Sequence, residues 1–391
     1  MNVLYIANLK TENKSGLLKA TIERLTRMEK HVEKIFIINN NFYDSPILTL
    51  VKKSLRMKDI LLEKPSEIQY RGLKINNSNY RRTIYFYLKR LLHSKKTEDG
   101  MIKHYLEKYS HELEQADVIH AQWGWTDGYI AYRLSQIIRK PFFITLHGSD
   151  INNIYEHNRT RLIEAMENAQ KCFFVSGRLL EQAKKIGYSG KNAVVTYNGV
   201  DTDIYKPKNK KNKKGKRVGY IGSLKKIKGA DLLPEIFENI YKRDPDVTFS
   251  IAGDGELKET LRTTFNKSKL NIDVLGPIDF KEVPSFFDSI DVLVVPSRNE
   301  GLGMVILEAN AMGVPVVGTD AGGIPEAIGY QENIIPINED LVHNMANRVI
   351  DVLNSQVNTS QLRQRVINKF DWENIVVSEV NEYKKTLNKQ L

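Results

Sequence analysis

This sequence predicts an α/β protein built from two doubly wound domains, each with a parallel sheet. Three observations carry the prediction. Short apolar runs alternate with helical patterns along the chain, the signature of parallel strands covered by helices. At 391 residues the chain exceeds one ordinary core and fits two domains of roughly 150 to 200 residues. Between two halves of similar style lies Lys206-Pro207-Lys208-Asn209-Lys210-Lys211-Asn212-Lys213-Lys214-Gly215-Lys216-Arg217, basic and without apolar residues, which reads as a flexible linker.

The first half predicts strands at Asn2 to Ala7, Lys34 to Ile38, Val118 to Ala121, Phe142 to Leu146, Cys172 to Val175 and Ala193 to Thr196. The second half predicts them at Arg217 to Ile221, Thr248 to Ala252, Asp273 to Leu275, Val292 to Val295 and Val314 to Thr319. Most are near-continuous apolar runs, as strands buried on both faces read. Pro296 to Gly303 reads as a loop, and Met304 to Met312 as a short helix stopped by Gly313. The domains then run over residues 1–200 and 217–372, with a linker at 201–216 and a polar helix at 373–391. In such folds ligands bind outside the carboxyl ends of the strands, here in a cleft between the domains.

Apolar content of 41 % and charged content of 27 % are those of a soluble globular protein. Met1-Asn2-Val3-Leu4-Tyr5-Ile6-Ala7 has no charged n-region and is not read as a secretory signal. No stretch reaches the roughly 18 apolar residues that span a bilayer. The one cysteine, Cys172, lies in Cys172-Phe173-Phe174-Val175 and reads as a buried structural thiol. Cytoplasmic residence is the expectation. A net charge of +11 calls for an anionic partner: lipid, nucleic acid or a phosphorylated ligand. No helix-turn-helix, zinc or RNA-binding signature supports nucleic acid.

The densest chemistry lies in Pro296-Ser297-Arg298-Asn299-Glu300-Gly301-Leu302-Gly303-Met304-Val305-Ile306-Leu307-Glu308. Glu300 hangs at the end of a strand, and Glu308 lies inside a helix otherwise made of Ile306, Leu307 and Ala309. A carboxylate among apolar neighbours is costly without partners, and two adjacent ribose hydroxyls can both donate to one. Gly301 and Gly303 would let backbone N–H groups and the helix N-terminus approach a phosphate. One segment thus offers contacts for a ribose, a phosphate and a group beyond the phosphate. An exposed first-turn Glu and a solvated helix Glu are the plainer alternative. Upstream, Gly222-Ser223-Leu224-Lys225-Lys226-Ile227-Lys228-Gly229 is a glycine-flanked strand-to-helix turn with three lysines, either a diphosphate cradle or a solvated basic turn.

From Asp291 to Glu326, including Gly313-Val314-Pro315-Val316-Val317 and Gly322-Gly323-Ile324-Pro325-Glu326, the chain closely resembles the donor-site signature of the family 4 retaining glycosyltransferases, which have the GT-B fold. The resemblance runs in order from Gly16 to Trp372. It implies that Glu300 holds hydroxyls of the donor sugar, that Glu308 holds the ribose, and that amides over Gly301, Leu302, Gly303, Met304 and Val305 meet the diphosphate. Lys228 matches the family's diphosphate-binding lysine, while Ser223 stands where an arginine is usual, and a lysine is no equivalent for a guanidinium fork. Gly16 matches a glycine whose backbone approaches the phosphate. Leu275-Gly276-Pro277-Ile278 would lie beside the base. Thr145-Leu146-His147-Gly148-Ser149-Asp150 resembles a His-Gly-x-Asp element whose histidine contacts the transferred sugar, so the catalytic set becomes Glu300, His147 and Lys228. Ile119-His120-Ala121-Gln122-Trp123-Gly124 resembles a loop lining the acceptor side, with Gln122 where many relatives carry a second histidine. Trp123 or Trp125 would stack on an acceptor sugar or simply be packed. Gln122, Trp123 and Asp150 form the acceptor-side set. The final helix, 373–391, would cross back onto the first domain.

The activity so implied moves a sugar from a nucleotide diphosphate donor, most commonly UDP-linked, to a saccharide or polyprenyl-linked hydroxyl in surface-polysaccharide assembly. Rival readings are a nucleotide-sugar epimerase of the same fold and a silent subunit of another transferase. No cofactor and no metal are expected: Asp201-Thr202-Asp203 spells a metal motif of another fold, but here Asp203 begins or caps a turn. Arg81 to Lys96 reads as one basic amphipathic helix. Either it packs its apolar face on the first sheet, or it rests on anionic lipid at the inner face of the plasma membrane.

Overall fold

The computed structural model describes residues 1–9, 16–57, 59–85, 96–207 and 215–389. The chain divides into two compact units, one of residues 1–175, 179–196 and 376–391, the other of 176–178 and 197–375.

In the first unit the strands are β1 (Asn2–Ala7), β2 (Lys34–Asn39), β3 (Phe42–Asp44), β4 (Glu67–Tyr70), β5 (Leu73–Asn77), β6 (Tyr80–Arg82), β7 (Val118–Ala121), β8 (Phe142–Leu146), β9 (Lys171–Phe174) and β10 (Ala193–Val195). Eight of them form one sheet in the order β10-β9-β8-β7-β1-β2-β5-β4. Only the β4–β5 pair is antiparallel. Val3 to Ala7 and Phe142 to Leu146 are wholly or almost wholly buried, as strands covered on both faces require. The strand order reverses direction between β1 and β7, which marks the sheet's topological switch point.

The second unit holds β11 (Arg217–Ile221), β12 (Thr248–Ala252), β13 (Ile272–Gly276), β14 (Val292–Val295), β15 (Val316–Thr319) and β16 (Ile334–Ile335). They form an all-parallel sheet in the order β13-β12-β11-β14-β15-β16, with its switch point between β11 and β14. The helix Leu233–Tyr241 shows how the layers join: Leu233, Ile236, Phe237 and Ile240 recur at helical spacing and are all buried. Phe237 stacks on Phe249 of β12 with ring centroids 4.5 Å apart.

Several features depart from the sequence reading. Residues 42 to 82 contain β3 to β6, none of them anticipated. Arg81 and Arg82 are strand residues of β6 rather than the start of a helix, and Arg82 is buried with its Nη2 2.6 Å from Asp44 Oδ1. Its charge is therefore spent inside the fold; of the rest of the expected helix, residues 86–95 lie outside the described residues. At the expected linker, Thr202 and Tyr205 offer backbone carbonyls to Arg363, at 2.8 and 2.5 Å, and Tyr205 is buried. Residues 201–205 thus belong to the second unit's fabric. Asp201 rather than Asp203 caps the turn there, accepting the amides of Asp203 and Ile204, both at 3.0 Å.

Candidate functional site

In the second unit the candidate residues gather at the β11/β14 switch point. The Gly222–Gly229 turn leaves β11 and the Pro296–Gly303 loop leaves β14, so adjacent strands launch both. They are pressed together. A Cβ on Gly229, whose φ is +69°, would lie 1.9 Å from the carbonyl oxygen of Pro296. Only glycine permits both that backbone angle and that approach. Arg298 ties the same loops: its two terminal nitrogens donate to Asp231 Oδ1 and Oδ2 at 2.7 and 2.9 Å, and its amide donates to the Ile227 carbonyl at 2.9 Å. A bidentate guanidinium–carboxylate pair fixes orientation as well as distance.

This clamp brings Lys228 to Glu300. Lys228 Nζ donates to Glu300 Oε1 at 2.6 Å, and Ser297 Oγ reaches the same oxygen at 3.3 Å. Both side chains are partly exposed, so the pair remains accessible to solvent and to ligand. From behind, Gly322, with φ of +50°, sits where a Cβ would be 1.8 Å from the Glu300 carbonyl oxygen, and the Gly323 amide donates to that carbonyl at 3.2 Å. The helix Met304–Ala311 begins immediately after Gly303. Its first amides, at Met304 and Val305, have no intrahelical acceptor and carry the positive end of the helix dipole. Leu302 and Gly303 are buried and Gly301 is half-buried, while Glu308 is 8 % exposed on the helix face. Ser223 is exposed at the turn, its carbonyl taken by the Tyr220 hydroxyl at 2.9 Å. Gly276 ends β13 and accepts the Gly253 amide at 2.8 Å, with Ile278 half-buried just beyond. Gly16 is the first residue of the helix Gly16–Met28, in the first unit.

The first unit's candidates lie at the ends of β7 and β8. Gln122 Nε2 donates to His147 Nε2 at 2.6 Å, and Tyr5 donates its hydroxyl hydrogen to Gln122 Oε1. An amide nitrogen can only donate, so His147 Nε2 accepts and the ring proton resides on Nδ1. Burial, then the Arg24 charge, holds this imidazole well below its ordinary range, which keeps it neutral. A neutral His147 offers one N–H donor, suited to a hydroxyl oxygen. Trp123 lies against it, ring centroids 5.6 Å apart. Asp150 is buried and accepts the amides of Gly124 at 3.1 Å, His147 at 3.1 Å and Gly148 at 2.9 Å. Its carboxylate therefore fastens the loop carrying His147 to the loop carrying Gln122 and Trp123. Trp125 packs beneath the Arg161 guanidinium, 5.3 Å away.

One buried acid of the first unit and one ion pair of the second were not read from the sequence. Asp127 is buried, accepts from Asn40 Nδ2 at 2.6 Å and from the Asn8 amide at 3.0 Å, and burial pushes its carboxyl up to about 7. Arg298 with Asp231 was the other. Neither leaves a spacing signal, because each partner comes from a distant element.

Matches to known proteins follow the same division. Residues 70–204 match the model described as Glycosyltransferase Family 4, and residues 201–370 the model Glycosyl transferases group 1. The chain is 30 % identical to an uncharacterized glycosyltransferase of Methanocaldococcus jannaschii over 68 % of this chain and 74 % of that one. It is 28 % identical to the putative teichuronic acid biosynthesis glycosyltransferase TuaC of Bacillus subtilis, over 75 % of this chain and 74 % of TuaC. Among solved structures, HepE of Anabaena in complex with UDP superposes with a TM-score of 0.71 at 17 % identity, covering 98 % of this chain and 100 % of HepE. That likeness shows the GT-B fold.

Proposed function

This chain belongs to the group 1 glycosyltransferases, and from that premise we propose that it moves a sugar, with retention of configuration, from a nucleotide diphosphate donor to a saccharide or polyprenyl-linked hydroxyl. The observation that carries this reading is the Lys228–Glu300 contact at the β11/β14 switch point, next to a helix N-terminus. In the reaction the bond between the anomeric carbon and the diphosphate oxygen breaks, and charge grows on the leaving group. The Lys228 ammonium and the amides at Gly303, Met304 and Val305 meet that charge, which stabilises the transition state more than the ground state. Glu300 holds hydroxyls of the donor sugar and Glu308 holds the ribose. His147 donates from Nδ1 to a hydroxyl of the transferred sugar, and the acceptor hydroxyl attacks the face that the leaving group vacates, its proton passing to the departing diphosphate oxygen.

The counter-charge on the diphosphate comes from these groups without a cation. In the Asp201-Thr202-Asp203 motif, read from the sequence as no metal site, Asp201 Oδ1 accepts two amides of its own turn. HepE was crystallised with UDP, which supports a UDP-sugar as donor. TuaC's putative role in teichuronic acid biosynthesis supports a surface-polysaccharide acceptor. The cytoplasm, or reversible attachment to the inner membrane face, suits such an acceptor.

Purified protein incubated with UDP-, GDP- and ADP-sugars tests the reading. Release of one nucleoside diphosphate that accelerates with added saccharide or polyprenyl acceptor supports it. Conversion of a donor sugar to its epimer without release, or no turnover of any donor, contradicts it.

A further inference from the structure

Beneath Gln122 and His147 the first unit contains a set of polar groups that donor binding does not explain. Arg24 on the Gly16–Met28 helix and Glu379 on the last helix, Trp372–Asn388, form an ion pair of 3.0 Å, with both side chains fully buried. Arg24 Nη1 also donates to Thr145 Oγ1 at 3.0 Å. The Thr145 hydroxyl pairs with His120 Nε2 at 2.8 Å, and His120 Nδ1 pairs with the Tyr383 hydroxyl, again from the last helix. His120 is held flat between other rings, stacked on Tyr5 at 4.8 Å and on Phe173 at 5.9 Å between centroids.

Stability alone is a poor account of this arrangement. Burying two charges costs more than an apolar pair of similar volume, and Val376 and Val380 already anchor the same helix by apolar burial. Position offers a better one. Thr145 lies in β8 two residues before His147, and His120 in β7 two residues before Gln122, so each network residue sits on the strand that leads into a candidate of the site. Tyr5, which stacks on His120, is also the residue that donates to Gln122. Thr21, one turn before Arg24, accepts from Gln122 Nε2 at 3.3 Å.

We propose that Glu379 and Tyr383 of the last helix are positioning residues for transfer: through Arg24, Thr145 and His120, and from these through Tyr5 and Gln122, they fix the orientation and the Nδ1–H tautomer of His147. The proposal rests on the transferase reading for its effect on rate. Its effect on His147 itself does not depend on that reading.

The test uses full-length protein labelled with 15N-histidine, in three forms: wild type, Tyr383→Phe, and the double variant Arg24→Met with Glu379→Leu. The double variant replaces the ion pair with apolar volume and keeps the protein folded if a single Glu379 change does not. Wild type should show His147 as one neutral Nδ1–H tautomer at pH 7. Both variants should show its resonances moved toward a mixture of tautomers, a melting temperature close to wild type, and a kcat about 10- to 100-fold lower at unchanged donor KM. His147 resonances identical in all three forms would overturn the proposal, as would shifted resonances with kcat unchanged. A wild type that turns over no donor would sink the transferase reading, and the His147 spectra would still decide the positioning.

Discussion

Asp127 gives a prediction whose size follows from its surroundings. Its carboxyl is buried, and the side chain facing it, Asn40, has an Oδ1 that is buried and makes no hydrogen bond among the described residues. Turning the Asn40 amide over would let that oxygen accept from a protonated Asp127 or from an asparagine in its place. Between 3.8 and about 7 the folded chain holds a proton on Asp127 that the unfolded chain releases. The contribution is therefore fully present below the unfolded value and is lost as pH rises through the folded one. The slope is about 1.4 kcal/mol per pH unit, or about 4 kcal/mol in all. Asp127→Asn removes this dependence. Urea unfolding of both proteins, read through Trp123 and Trp125 in a Trp372→Phe background, isolates the first unit. From pH 5 to pH 8 the wild type should lose about 3 kcal/mol relative to Asp127→Asn. A difference that stays constant over that range would refute the argument.

Other consequences concern the donor site and its surroundings. Glu300→Ala should lower turnover on the order of 100-fold or more while leaving UDP affinity nearly unchanged. Glu308→Ala should weaken UDP itself in a calorimetric titration, and full activity in both variants would remove the site. Turnover should survive EDTA; loss in chelator with recovery on adding magnesium or manganese would return Asp201 and Asp203 to consideration as ligands. On the membrane question, anionic vesicles at low salt should pellet wild type more than a variant with Lys89, Arg90 and Lys96 changed to Gln. Each such residue adds about 1 kcal/mol at an anionic surface. Equal pelleting of the two proteins would end that reading.

The second unit was largely legible because its physics is simple. Val292 to Val295 is an apolar run buried on both faces, and its end at Pro296 is written in the sequence. The expected strand from Val314 begins at Val316 instead, since the Val314 amide is still occupied by the Ala309 carbonyl at the helix end. In the first unit, β4 escaped notice as a polar, partly exposed edge strand, and β5 because only two apolar residues, the buried Leu73 and Ile75, mark it among polar ones. Buried asparagines then reverse the usual pattern. Asn39 Nδ2 donates to Asn77 Oδ1 at 2.7 Å, and Asn41 Nδ2 to Asn79 Oδ1 at 2.6 Å. The same inversion hid Arg24 and Glu379, which read as solvated helix residues until a partner from the far end of the chain is placed beside each. Lys228 and Glu300 could be named singly from their motifs. Their 2.6 Å contact could not, because it depends on the Gly229–Pro296 approach and the Arg298 clamp.

Amide hydrogen exchange with and without saturating UDP tests the central claim most directly. Bound UDP should slow exchange over residues 222–229 and 300–308 in wild type, and protection should weaken across both segments in Glu308→Ala. Protection confined to other parts of the chain, or none at a concentration that saturates binding, would contradict the assignment of the donor site.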